Sequence, residues 1–218
     1  MPWCNFPWLD TSVVGVLAER FTVVVASPRG YAQSTRLSDR PYRPEMLAED
    51  LLAICSAAGF ERFSIFGYSL TAAIASWLAV ETGLVDAVVA GGFPLLGSYG
   101  RLLDDVEAKV AEVRADERAR SSMDDDFDVS ALLAFYQHLA TLPDGALVDR
   151  LPCPMLSFCG DHDEVVGSFG IGVPDLGVGL KSRGVDFLVL TNLDHLGTLL
   201  NLSQVQDQIV AWLLRSIS

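Results

Sequence analysis

Three short stretches carry side chains whose types and order can do chemistry together. Gly67-Tyr68-Ser69-Leu70-Thr71 follows an apolar run and precedes a helical pattern. A sharp strand-to-helix turn there exposes the Ser69 hydroxyl and makes the Leu70 amide, in the first turn of the helix, a donor for an oxyanion. Gly67 is small where strand and helix backbones must pass close together, and Thr71 stands where the motif has its second glycine. The same five residues also fit an ordinary strand–turn–helix with Ser69 as a cap. Cys159-Gly160-Asp161-His162-Asp163 and Asp194-His195 each follow a further apolar run. The resulting order is serine, carboxylate, histidine. In that set an imidazole activates the weakly nucleophilic hydroxyl, and a carboxylate fixes the imidazole tautomer and stabilises its cation. Asp161 and Asp163 both stand where the carboxylate is needed. His162, the two aspartates, Asp194 and His195 also make a possible metal cluster, but their spacing matches no zinc motif, so no metal is expected. His138, within a helical pattern, reads as a packing or surface residue.

Five apolar runs supply the strands that would position these groups: 21–26 (FTVVVA), 63–67 (FSIFG), 86–91 (DAVVAG), 155–159 (MLSFC) and 186–190 (DFLVL). Continuous apolar strands are those of a sheet buried on both faces, as in parallel sheets. Helical patterns separate them. One opens at Pro44, repeats Leu47, Leu51, Ile54 and Ala58, and closes at Gly59; another covers 70–82; the last presents Leu202, Val205, Ile209, Trp212 and Leu213. This alternation predicts a doubly wound, mostly parallel α/β fold. Residues 97–150 break the rhythm with two amphipathic helices, through Leu102, Leu103, Val106, Val110 and Val113 and through Leu132, Leu133, Phe135, Tyr136 and Leu139. They read as a small helical cap on a core formed by 1–96 and 151–218. Tyr68, Phe93, Pro94, Phe135 and Tyr136 are candidates for an apolar pocket, and core packing explains each of them at least as well.

The 218 residues fit one domain with a small insertion, and half of them are hydrophobic. The net charge of −13 opposes binding to nucleic acid or an anionic membrane. Asp124, Asp125, Asp126 and Asp128 read as a solvated loop, since the glycine and terminal glutamate of a calcium loop are missing. Cys4, Cys55, Cys153 and Cys159 form no CxxC pair, as expected of free thiols in a reducing compartment. With no signal peptide in MPWCNFPW and no long apolar span, a soluble cytoplasmic protein is expected.

On these stretches the chain resembles the α/β-hydrolase family over nearly its whole length. FTVVVASPRGYAQSTR is similar to the family's strand and arginine–glycine turn, FSIFGYSLTAAIASWLA to its nucleophile segment, PMLSFCGDHDEVV to its acid loop and LDHLGTLLN to its histidine loop. The resemblance implies Ser69 as nucleophile, His195 as base and Asp163, three residues after the strand-end glycine, as the orienting acid, with Asp161 as the runner-up. It implies cleavage of an ester, thioester or related acyl bond of a small apolar substrate, with no cofactor. It leaves an acyltransferase, a carbon–carbon bond hydrolase or a catalytically weak binding protein as alternatives. It also implies a central strand just before Met1, between 21–26 and 63–67, whose following turn holds a second oxyanion donor. Pro2 and Pro7 bar residues 1–8 from that place. The expectation is therefore either direct pairing of 21–26 with 63–67 or, preferred, a chain that starts too late.

Overall fold

The computed structural model describes Trp8 and residues 11–27, 29–30, 34–37, 41–115 and 128–217. Cys4 and Asp124, Asp125 and Asp126 lie outside these. The elements run α1 (Ser12–Ala18), α2 (Glu45–Ala57), β1 (Phe63–Tyr68), α3 (Leu70–Thr82), β2 (Val85–Gly91), α4 (Tyr99–Ala115), α5 (Val129–Leu139), α6 (Ala146–Asp149), β3 (Met155–Gly160), α7 (Glu164–Ser168), α8 (Val173–Ser182), β4 (Asp186–Leu190), α9 (His195–Leu200) and, after a 3-10 turn at Leu202–Gln204, α10 (Gln206–Ser216). They form two compact units. One holds the described residues of 24–59 and 98–143; the other holds those of 8–23, 60–97 and 144–218.

The second unit contains a four-stranded, all-parallel sheet in the order β1-β2-β3-β4. β3 is buried along its whole length and β2 nearly so, as their continuous apolar sequences require. Side chains alternate between the faces of a strand. Ala87 and Val89 of β2 therefore join one core cluster with Val13 and Leu17 of α1 and Ile209, Trp212 and Leu213 of α10. Val88 and Ala90, equally buried, point to the opposite face, and α3 packs on β1 and β2. α3 is apolar nearly all round, Ala72–Ala79 being wholly buried, and it stops at Gly83, which takes the left-handed conformation at φ 63°. In the first unit, α4 and α5 pack through Val110 and Val129, and Asp128 caps α5 by accepting from the Ser130 amide at 2.8 Å. Arg29 there forms a forked ion pair with Asp50.

Four of the five expected strands are present, within one residue of their expected ends. The fifth, 21–26, is not a strand. Phe21 and Val23 pack on the core cluster, whereas Val24 and Val25 are about half exposed. β-branched residues favour extended backbone, but a strand also needs a ladder partner, and β1 pairs with β2 alone among the described residues. The direct pairing of 21–26 with 63–67 is therefore not made. No helix among the described residues is long and apolar enough to cross a membrane.

Candidate active site

Ser69 follows β1 directly and precedes α3. It holds φ 54° and ψ −127°, a region that a side chain rarely enters and that costs about 1–3 kcal/mol. The surroundings impose it. A Cβ at Gly67 would collide with the Thr71 carbonyl, so only glycine lets strand and helix cross so closely. The Ser69 amide donates to Gly91 O at 2.8 Å, tying the turn to the end of β2. Thr71, at the place of the motif's second glycine, adds a staple: its hydroxyl donates to Tyr68 O and accepts from the Tyr68 amide, each at 2.8 Å. Leu70 is the first residue of α3, so its amide has no acceptor within the helix.

The acid loop leaves the end of β3. A Cβ at Gly160 would collide with the Leu193 carbonyl and lie 2.6 Å from Thr198 Oγ1, so glycine brings the acid and histidine loops together. Asp163 is 3% exposed. Its Oδ1 caps α7 through the Val166 amide at 3.0 Å, and its two oxygens lie 3.0 and 3.1 Å from His195 Nδ1. His195 Nε2 is 3.0 Å from Ser69 Oγ. A carboxylate only accepts, so the Nδ1 proton faces Asp163, and the Nε2 lone pair is left for the Ser69 hydroxyl. The structure thus brings Ser69, His195 and Asp163 into one hydrogen-bonded chain. Asp161 is placed differently: its Oδ1 accepts from the Leu193 amide at 3.3 Å. His162 is exposed, its Nε2 4.0 Å from Asp161 Oδ1, and His138 lies in the last turn of α5. Asp194 caps α9, accepting from the Gly197 amide at 2.6 Å.

Of the residues considered for an apolar pocket, Tyr68, Phe93, Phe135 and Tyr136 are all buried. The Tyr68 ring lies edge-tilted to Phe158 and to His195, with centroids at 6.0 and 5.2 Å. Burial, with the Asp163 charge next, pushes its phenol well above the ordinary value, so it stays a donor. Sequence reasoning assigned no role to Glu164, Gly91 and Gly92 at this site and marked Thr71 only as a departure from the motif's second glycine. The adjacent glycines at the end of an apolar strand were the one local signal for them.

The family model described as the α/β hydrolase fold matches residues 3–94. No curated protein sequence matches the chain. Solved structures do. The chain is similar to a hydrolase from Pseudomonas aeruginosa at 17% identity and a TM-score of 0.69, covering 95% of this chain and 85% of that one. It is similar to a thermophilic esterase from Thermogutta terrifontis at 16% identity and a TM-score of 0.69, covering 95% and 86%. A meta-cleavage product hydrolase from Pseudomonas fluorescens aligns at 14% identity and a TM-score of 0.64, covering 93% and 83%.

Proposed function

The chain has the α/β-hydrolase fold, and from that premise we propose that it is a serine hydrolase acting on an ester, thioester or related acyl bond of a small substrate. The observation that carries the reading is the continuous path from Asp163 through His195 to Ser69 Oγ, its joints at 3.0 Å. Ser69 Oγ attacks the acyl carbon while its proton passes to Nε2 of His195. The imidazolium forms beside the Asp163 carboxylate, which offsets its charge. The charge on the carbonyl oxygen falls to the Leu70 amide at the N-terminus of α3. His195 then gives its proton to the departing group, leaving the acyl chain on Ser69. Water, deprotonated by His195, releases the acid and restores the hydroxyl. The residues supply every proton transfer, and no cofactor enters the scheme. The hydrolase and esterase among the similar structures agree with this class.

The test is turnover of short-chain p-nitrophenyl esters by the wild type and by Ser69→Ala, with and without an alcohol acceptor. The expected result is free acid from the wild type and none above background from the variant. Transfer to the alcohol in preference to water would make the protein an acyltransferase. Equal turnover by both proteins would remove Ser69 from the mechanism.

A further inference from the structure

His195 is the first residue of α9, on a loop that the strained turn around Ser69 does not reach through the chain. Something must hold its backbone as well as its ring. The carbonyl of His195 accepts from the Tyr68 phenol at 2.7 Å, and its amide donates to Glu164 Oε2 at 3.1 Å. Tyr68 immediately precedes the nucleophile, and Glu164 immediately follows the acid. The His195 carbonyl and amide are thereby tied to the chain neighbours of the two residues that its ring must meet.

Resting on the serine-hydrolase reading, we propose that Tyr68 and Glu164 are positioning residues that clamp the His195 backbone and set the reach of Nε2 to Ser69 Oγ.

Three further features support the clamp. Tyr68 is 2% exposed, so its hydroxyl has little access to water as a substitute partner. Its ring occupies a slot that two glycines leave open. A Cβ at Gly92, which holds φ 60°, would lie 2.6 Å from Tyr68 Cζ, 2.7 Å from its hydroxyl and 3.0 Å from His195 Cε1, and a Cβ at Gly91 would lie 2.6 Å from Tyr68 Cδ2. The end of β2 is thus shaped to admit the tyrosine beside the histidine. The acid loop adds two bonds of its own to the residue two before His195: the His162 amide donates to Leu193 O at 3.1 Å, and Asp161 accepts from the Leu193 amide. Glu164 is exposed, so its end of the clamp is the weaker.

The test compares wild type, Tyr68→Phe, Glu164→Ala and Glu164→Gln. Tyr68→Phe keeps the ring and deletes only the hydroxyl; Glu164→Gln keeps an acceptor and deletes only the charge. Two readouts are taken: kcat and KM on p-nitrophenyl acetate, and the solvent-exchange rate of the His195 Nδ1 proton by NMR. A lost hydrogen bond corresponds to about three- to tenfold in rate. Tyr68→Phe should lower kcat by about that factor with KM within about twofold, and should speed Nδ1 proton exchange. Glu164→Ala should do the same by a smaller factor, with Glu164→Gln restoring both readouts. Wild-type kcat and exchange in Tyr68→Phe would overturn the clamp. If the wild type hydrolyses no ester, the serine-hydrolase reading falls instead, and proton exchange alone still decides whether the clamp exists.

Discussion

Ser69 and His195 meet at 3.0 Å but are held by opposite means. Ser69 is fixed by its own backbone. Strand, turn and helix are continuous in sequence, Gly67 permits the crossing, and Thr71 staples the turn. His195 is fixed from outside, by Asp163, Glu164 and Tyr68, which belong to two other points of the chain. The difference assigns separate weaknesses. A change on the serine side has to disturb the fold to move Ser69 Oγ. A change on the histidine side can remove one hydrogen bond and degrade the chemistry by degrees.

The largest expected effect on the histidine side is at Asp163. Asparagine remains a competent cap for α7, but it no longer favours the tautomer that leaves Nε2 free. Asp163→Asn should keep its melting temperature near that of the wild type and lose about 10⁴ in kcat, the factor found for the same change in a serine protease. Asp161→Asn should lose far less, since Asp161 meets the Leu193 amide and not the imidazole. A larger loss from Asp161→Asn in ester hydrolysis would reverse the two roles.

Next comes Gly160, where the two loops touch. Gly160→Ala forces a Cβ against the Leu193 carbonyl, a rigid backbone atom, and should destabilise the protein by about 3 kcal/mol in urea unfolding. Gly167→Ala, whose Cβ meets open space within α7, serves as the control and should be neutral or slightly stabilising. Equal behaviour of the two would mean that the loops are not packed as described.

On the serine side, Thr71→Ala deletes both bonds to the Tyr68 backbone. It should lower unfolding stability by about 1–2 kcal/mol. Any loss of kcat should be far smaller than that of Asp163→Asn.

The smallest effect is on pH dependence, through thiols in and beside β3. Burial, and next the Asp163 charge, pushes Cys159 up to about 12 from the ordinary 9.0. Burial, and next Asp86, pushes Cys153 up to about 11. Above pH 9 the unfolded chain releases thiol protons that the folded chain keeps. The stability these thiols contribute is therefore whole below pH 9 and is lost as the pH rises through about 11 and about 12. The melting temperature should decline from about pH 9 upward, and less steeply in Cys159→Ala. An unchanged slope in that variant would show that Cys159 ionises as freely in the fold as out of it.

The same contrast explains what the sequence could and could not disclose. The serine turn is local, and Gly67, Ser69 and the apolar stretches on either side mark it within a few residues. β2 and β3 were legible because strands buried on both faces are apolar throughout. The segment 21–26 has the same composition and is no strand, because pairing depends on a neighbour that composition cannot report. The order of loops after strands pointed to a carboxylate, Asp161 or Asp163, facing His195, and the choice of Asp163 rested on the family resemblance. The clamp from Tyr68 and Glu164 was not, since its bonds link residues 127 and 31 positions apart. Tyr68 read as a pocket or core-packing residue because nothing in its neighbourhood marks the partner of its hydroxyl. Thr71 read as a departure from a glycine motif, when its hydroxyl in fact closes the turn.

The most direct measurement is intact-mass and peptide mass spectrometry after treatment of the full chain with a fluorophosphonate. The reagent reacts with a serine only when a neighbouring base activates it. A single adduct on Ser69, absent from Ser69→Ala and slowed by orders of magnitude in Asp163→Asn, is the predicted result. No adduct on folded wild-type protein, or an adduct on a different serine, would contradict the assignment.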